Sequence, residues 1–230
     1  MSGPVKGCSP ESKRLSLAFY NTIGKVGLSV CSKKEWDRAI LKQVESLLNK
    51  DQRILDVGCG YGRTALPLLK KGYDIYGIDL SKKYITELKR GLSSASLKSK
   101  FKVADMCDLP FGDAAFDVVL CLWSVIDELL FRKDQVRAVK EMRRVLKKGG
   151  FAFIEGHLFF EPTQEQIRNG DMRGHQKRIM RDDLGGVDYY HYNHDEESLR
   201  KILVRAGIRN FSISEEWFGW RDRMIIRFSK

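Results

Sequence analysis

Ile54-Leu55-Asp56-Val57-Gly58-Cys59-Gly60-Tyr61-Gly62 is the stretch whose reading decides the fold of this chain. A short apolar run ends in an acid, three glycines follow at alternate positions, and helix-like sequence comes after them. That is the pattern of a buried strand feeding a tight turn, where a ligand can lie against bare backbone. A second apolar stretch, Asp74-Ile75-Tyr76-Gly77-Ile78, ends in Asp79. Strand, glycine turn, helix, strand and acid in this order predict a doubly wound α/β domain built to hold an adenosine-type cofactor. The second acid is placed for the ribose hydroxyls.

Glycine spacing separates the candidate cofactors. A dinucleotide fingerprint sets its third glycine three places after the second, where this chain has Arg63; here the third glycine is Gly62. Bulk at Arg63 also opposes the close approach that a pyrophosphate makes to a helix N-terminus. Led by Asp56, the observed spacing resembles the first motif of class I S-adenosylmethionine-dependent methyltransferases. Other stretches resemble the same superfamily over about residues 15–155: Phe101-Lys102-Val103-Ala104-Asp105-Met106, Leu109-Pro110-Phe111-Gly112-Asp113 with Phe116-Asp117-Val118-Val119-Leu120-Cys121, and Glu141-Met142-Arg143-Arg144-Val145-Leu146-Lys147-Lys148-Gly149-Gly150.

The resemblance implies S-adenosyl-L-methionine as cofactor and a set of residues to hold it. Gly58, Gly60 and Gly62 would admit its close approach, with Cys59 a small residue inside the turn. Asp56 would orient the methionine end, Asp79 and the adjoining Leu80 would serve the ribose, and Asp105 and Met106 would serve adenine. Cys121 falls on the cofactor side of the sheet. The basic residues before Gly149-Gly150 suit the end of a helix, and the glycines suit its left-handed cap.

The fold expected is one methyltransferase domain over residues 1–230, with a mostly parallel seven-stranded sheet, helices on both faces and the last strand antiparallel. Helices are predicted over 12–23 and 33–49, a helical lid within residues 1–50. Strands are predicted over 53–57, 74–78, 101–104, 116–122 and 151–155, with helices over 63–71, 81–92 and 133–148 between them. A less regular insert, 156–194, would form an acceptor cap. Asp195 is placed to cap a helix over 195–206, and strands over 208–214 and 223–228 would close the sheet.

Composition sets limits. The chain has 230 residues and a net charge of +11, with 41 basic residues against 30 acidic ones. Residues 151–230 hold equal numbers of each, so the excess lies in the first 150 residues. Much of it follows the second strand, at Lys82, Lys83, Lys89, Arg90, Lys98, Lys100 and Lys102, on a flank of the sheet. A solvated basic face accounts for these residues better than a nucleic-acid surface. Dense positive charge near the acceptor side occurs only in 173–181. No run of about 18 apolar residues exists to span a membrane. The first 15 residues lack the apolar core of a signal peptide, and five scattered cysteines without a C-x-x-C pair suggest free thiols in a reducing cytoplasm.

The acceptor is to be sought among the histidines and aromatics. Methyl transfer from a sulfonium needs mainly alignment and exclusion of water, whereas a hydroxyl acceptor also needs a base. His157 directly follows the fifth strand and is the leading candidate for general base or acceptor orientation; a plain polar loop residue is the alternative. Tyr20 is the candidate from the N-terminal helix, against ordinary helix packing. Asp127, with Glu128, could hold an amine cation or cap the next helix. Trp123, Tyr190 and His191 are candidate acceptor contacts, and Phe159, Phe160, Tyr189 and Tyr192 could line the same pocket. His191-Tyr192-Asn193-His194-Asp195 reads as loop polarity, and no metal is expected. A small-molecule N or O acceptor is the leading reading. A tRNA acceptor of the wobble-uridine type, a non-catalytic cofactor-binding subunit and a dinucleotide oxidoreductase are the competing ones.

Overall fold

A computed structural model describes residues 7–31, 34–157, 172–173, 176–183, 188–218 and 222–230, with side chains for all of these except 28–31, 34, 172–173 and 176–183. Seven strands form one sheet: β1 (Arg53–Val57), β2 (Asp74–Asp79), β3 (Phe101–Val103), β4 (Phe116–Cys121), β5 (Leu146–Gly156), β9 (Phe211–Trp217) and β10 (Asp222–Ser229). Their order is β3-β2-β1-β4-β5-β10-β9. β1 pairs in parallel with β2 and β4, β2 with β3, and β4 with β5. β10 runs antiparallel to both β5 and β9. The fold class is the one the sequence predicts: a doubly wound, mostly parallel seven-stranded sheet whose last strand is antiparallel.

Strand periodicity explains the two cores. Leu55 and Val57 point to one face, where they join Val119, Ile154, Met142 of helix α6 (Arg132–Val145) and Leu199 and Ile202 of helix α7 (Glu196–Arg205). Ile54 points to the other, with Ile75, Val118, Leu120, Phe153 and Leu88 of helix α4 (Lys82–Arg90). Helices α2 (Lys34–Glu45) and α3 (Ala65–Lys70) cover this second face through Ile40, Val44 and Leu68. Ile54, Leu55, Val57, Ile75, Leu120 and Phe153 have no exposed surface. Each such side chain contributes about 1.5–3 kcal/mol on burial, and residues inside on both faces give the near-continuous apolar strands that the sequence shows.

Local signals set the helix starts. Ser81 is the N-cap of α4 and accepts a hydrogen bond from the Tyr84 amide at 3.3 Å. Asp195 caps α7 by accepting from the Ser198 amide at 2.7 Å. Helix α1 spans Pro10–Cys31 but breaks at Gly24, whose φ of 61° is non-helical, so its regular part ends where the sequence predicts. A short helix α5 (Ala95–Ser99), capped by Ser94, lies in a region not predicted to be helical.

Three expectations need correction. Gly149-Gly150 does not cap a helix: α6 stops at Val145 and β5 already begins at Leu146. Pairing with β4 and β10 claims that segment, the β4–β5 register shifts between Phe116 and Val118, and a Cβ on Gly150 would meet the Asp117 carbonyl at 2.6 Å. The insert is also more regular than expected, since β6 (Met172–Arg173), β7 (Gln176–Asp183) and β8 (Asp188–Tyr192) form an antiparallel sheet in that order. Finally, the cysteines are not all free thiols. Cys8 and Cys107 are joined in a disulfide, with their Cα atoms 5.3 Å apart, while Cys59 and Cys121 are free and buried. A separation of 99 residues hides such a pair from any spacing rule. No helix among the described residues is long and apolar enough to cross a membrane.

Candidate active site

In an open α/β sheet, ligands lie outside the carboxyl ends of the strands. β1 and β2 deliver Asp56 and Asp79 to that edge, and the glycine turn runs between them. The amides of Gly58 and Cys59 donate to the Ile78 carbonyl at 2.8 and 2.9 Å, tying the turn to β2. Asp79 bridges the turn to the start of α4: Oδ2 accepts from the Gly60 amide at 2.9 Å and Oδ1 from the Ser81 amide at 2.8 Å. Gly60 has a φ of 53°, and a Cβ built there meets nothing within 4 Å. Bare backbone thus faces open space between two carboxylates.

The electrostatics suit a cationic ligand. Burial, with Asp79 nearby, pushes Asp56 up to about 7. Burial also raises Asp79, against the amides of Ser81 and Gly60, which lower it. The Tyr84 hydroxyl is buried beside them with no hydrogen-bond partner. Two desolvated acids, an orphaned phenol and an uncovered glycine fit a ligand that brings a positive charge and hydroxyls, as S-adenosylmethionine does. Leu80, the residue after Asp79, lines a cleft of about 810 Å³ between α1 and α4, with Leu17, Asn21 and Lys83. Arg63 turns away from the glycine turn. It donates to Asp37 of α2 and lays its guanidinium 3.6 Å from the centre of the Trp123 ring.

The second half of the site hangs on an unusual turn after β4. Trp123 and Ser124 are both left-handed, with φ of 63° and 61°. Glu155 of β5 holds them: its Oε2 accepts the amides of Trp123 and Ser124 at 2.5 and 3.3 Å, and Oε1 pairs with Arg223 of β10. Arg223 also donates to the Ser124 hydroxyl. This arrangement aims the 3-10 turn Val125–Glu128 inward, and Asp127 and Glu128 are both buried.

Each of those acids gathers a distinct set of partners. Asp127 accepts the backbone amide of His157 at 2.9 Å, with the His157 Nδ1 3.2 Å from Oδ2 and the His194 Nε2 3.9 Å from Oδ1. Burial alone would raise Asp127, but the hydrogen bonds and charge of His157 and the charge of His194 hold it below the usual carboxylate range. Glu128 lacks such help. Burial pushes it up to about 7 against hydrogen bonds from Tyr20 and Tyr189. The Tyr20 hydroxyl donates to Glu128 at 2.6 Å. Burial, then the Glu128 charge, drives the Tyr20 phenol far above its ordinary value.

Strand alternation decides which side chains of β8 join this group. Tyr189 packs on Phe19 at 4.7 Å and on His191 at 5.2 Å, and His191 lies 5.2 Å from the His157 ring. Tyr190 and Tyr192 point the other way, against Leu15, Leu130 and Phe131. Of the candidates from sequence, His157, Tyr20, Asp127 and His191 therefore converge, Tyr190 stands outside the group, and the Trp123 ring packs on Arg63 and donates to the Thr64 hydroxyl. Asp127 meets imidazoles rather than an open amine subsite. Glu128, Tyr189, Glu155 and Arg223 complete the arrangement. The two-residue period of 189–192 was the signal for Tyr189, but nothing in the sequence marks Arg223. Cys59 and Cys121 are buried, Cys121 within the first core cluster. Met106 packs at that cluster's margin. Asp105 accepts the amides of Cys8 and Cys107, each at 2.8 Å, and pairs with Lys13 at 2.6 Å. Phe159, Phe160 and the side chains of the basic stretch 173–181 lie outside the described residues.

Comparison with known proteins agrees with this geometry. The Methyltransferase domain family matches residues 55–154, from β1 to β5. The chain is 36% identical over 131 residues to ajmaline N-methyltransferase of Rauvolfia serpentina, covering 54% of this chain and 43% of that protein. It is 26% identical over 165 residues to a tRNA N(3)-cytidine methyltransferase of Gallus gallus, covering 68% and 43%. The chain thus spans less than half the length of these relatives. Its fold is similar to that of the Burkholderia thailandensis 1,6-didemethyltoxoflavin-N1-methyltransferase, solved with 1,6-didemethyltoxoflavin and S-adenosylhomocysteine bound. That match has a TM-score of 0.68 at 15% identity and covers 100% of this chain and 93% of the other. With the glycine turn, the acid at the end of β2 and the strand order all in place, residues 55–154 match the Methyltransferase domain family within a fold similar to that of S-adenosylmethionine-dependent methyltransferases.

Proposed function

We propose that this protein transfers a methyl group from S-adenosylmethionine to a small-molecule nitrogen or oxygen nucleophile. One observation carries the reading. An uncovered glycine turn flanked by desolvated acids lies on the same edge of the sheet as a histidine held by a buried carboxylate. When bound, the cofactor supplies a methyl on a sulfonium, with a neutral thioether as leaving group. Asp56 would receive its ammonium, Asp79 its ribose hydroxyls, and the backbone at Gly60 its close approach.

The protein's own part is alignment, exclusion of water and handling of one proton. His157 presents Nδ1 to Asp127, which leaves Nε2 to take a proton from an acceptor hydroxyl or protonated amine. Tyr20 and Tyr189 would wall the acceptor side from α1 and β8, so that the N-terminal helix acts as lid and the inserted sheet as cap. The equal balance of acids and bases in residues 151–230 supports a small acceptor over a polyanion.

Incubating the protein with methyl-labelled cofactor and separated cell fractions of small metabolites, tRNA and protein tests the reading. Label is expected in the small-metabolite fraction. Label confined to tRNA or protein would refute the small acceptor, and no labelled product in any fraction would refute the activity.

A further inference from the structure

Asp56, Asp79 and Asp105 stand at or just beyond the carboxyl ends of three neighbouring strands, β1, β2 and β3. Asp56 is buried, and Asp79 accepts the amides of Gly60 and Ser81. The third is covered by the protein's own N-terminal segment. Asp105 Oδ2 accepts the Cys8 amide at 2.8 Å and pairs with Lys13 at 2.6 Å, while Oδ1 accepts the Cys107 amide at 2.8 Å. A Cβ on Gly7 would come within 2.5 Å of Oδ2, so the segment lies directly on this carboxylate.

The hold continues onto α6. The Ser9 amide donates to Asp134 Oδ2 at 3.0 Å, and Arg137 donates to the Gly7 carbonyl. The Cys8–Cys107 disulfide closes the same spot covalently, and both residues are buried. α1 begins two residues later and carries Phe19 and Tyr20 to the acceptor side.

We propose that Cys8–Cys107 is a reversible thiol–disulfide latch. When bonded, it keeps residues 7–9 on Asp105 and narrows the cofactor cleft at that end; when reduced, it lets the segment lift so that cofactor binds more tightly. The proposal rests on the cofactor reading above. Release needs an external dithiol. Its thiolate attacks one sulfur, a mixed disulfide forms, and the second thiol resolves it, so that two electrons and two protons pass to Cys8 and Cys107 as the dithiol is oxidised to its own disulfide. The two sulfurs are buried, so exchange requires transient opening of residues 7–9.

The same cluster has a rival use. Cys8, Asp105 and Cys107 place three ligand atoms within 4.8 Å of one another, a set that two thiolates could turn into a zinc site. The Lys13 ammonium at 2.6 Å from Asp105 opposes it, because that carboxylate already has its cation.

Calorimetry with S-adenosylhomocysteine on the full chain tests the latch. The bonded protein, the same protein reduced by a phosphine, and the Cys8→Ser/Cys107→Ser variant are compared, with a thiol count on each. The bonded form should bind about tenfold more weakly than the other two, the usual range of a coupling between two sites. Equal affinity in bonded and reduced wild-type protein would overturn the latch while leaving the cofactor reading intact. Absence of binding in every form would overturn both. No disulfide after air oxidation, or one equivalent of zinc retained by the reduced protein, would also overturn it. Reduction of the wild type keeps the test decisive if the double variant fails to fold.

Discussion

Replacing Arg223 by Met tests whether a buried ion pair holds the left-handed turn at Trp123 and Ser124. Met keeps most of the side-chain length and removes only the guanidinium. Glu155 then remains with no exposed surface and only the amides of Trp123 and Ser124 to balance its charge. Breaking a buried pair in this way costs about 3–5 kcal/mol, because the remaining charge stays desolvated. The two left-handed residues carry roughly 1–2 kcal/mol of strain each in wild type and variant alike, so the broken pair sets the difference. Against a total stability of about 5–15 kcal/mol, the variant should be close to unfolding. With a urea slope of about 2–3 kcal/mol/M, the midpoint should fall by about 1–2 M. Adding Glu155→Gln removes the stranded charge, so the double variant should be more stable than Arg223→Met alone. A loss below about 1 kcal/mol, or a double variant no better than the single one, would refute the claim that this pair holds the turn.

Further outcomes follow from the site. Gly60→Ala should cost only about 1–2 kcal/mol of stability, since its Cβ enters open space and the strain is the positive φ alone, yet it should weaken S-adenosylhomocysteine binding. Gly58→Ala, whose Cβ would meet Val125 Cγ1 at 2.5 Å, should damage both stability and binding; thermal melts with calorimetry separate the two, and undiminished binding by Gly60→Ala would be contrary. The raised acids Asp56 and Glu128, each pushed up to about 7, bind more protons folded than unfolded, so the free protein should lose stability as pH climbs from about 4 to about 7. The lowered acids Asp117, Asp127, Glu141 and Glu216 act in the opposite sense, but below their ordinary values near 4. Melting curves from pH 5 to pH 7.5 should therefore fall in wild type and flatten in Asp56→Asn; a wild-type curve that rises would contradict the sign. A cation that ionises these acids expels protons, so affinity for S-adenosylmethionine should increase over the same range.

Much of this protein was already written in its local sequence. The glycine turn, Asp79 and the caps at Ser81 and Asp195 are contiguous signals, because backbone conformation and helix starts depend on neighbours a few residues away. Apolar strands alternating with amphipathic helices likewise fixed the doubly wound class. Tertiary structure decided what lies far apart in the chain. Glu155 and Arg223 are 68 residues apart and meet only because β10 pairs with β5. Tyr189, not Tyr190, reaches Glu128 because the β7–β8 register sets which face turns inward. Cys8 and Cys107, which spacing read as free thiols, are bonded because the start of α1 lands on the loop after β3. Local propensity sets the elements, but sheet pairing and burial choose which side chains share a site.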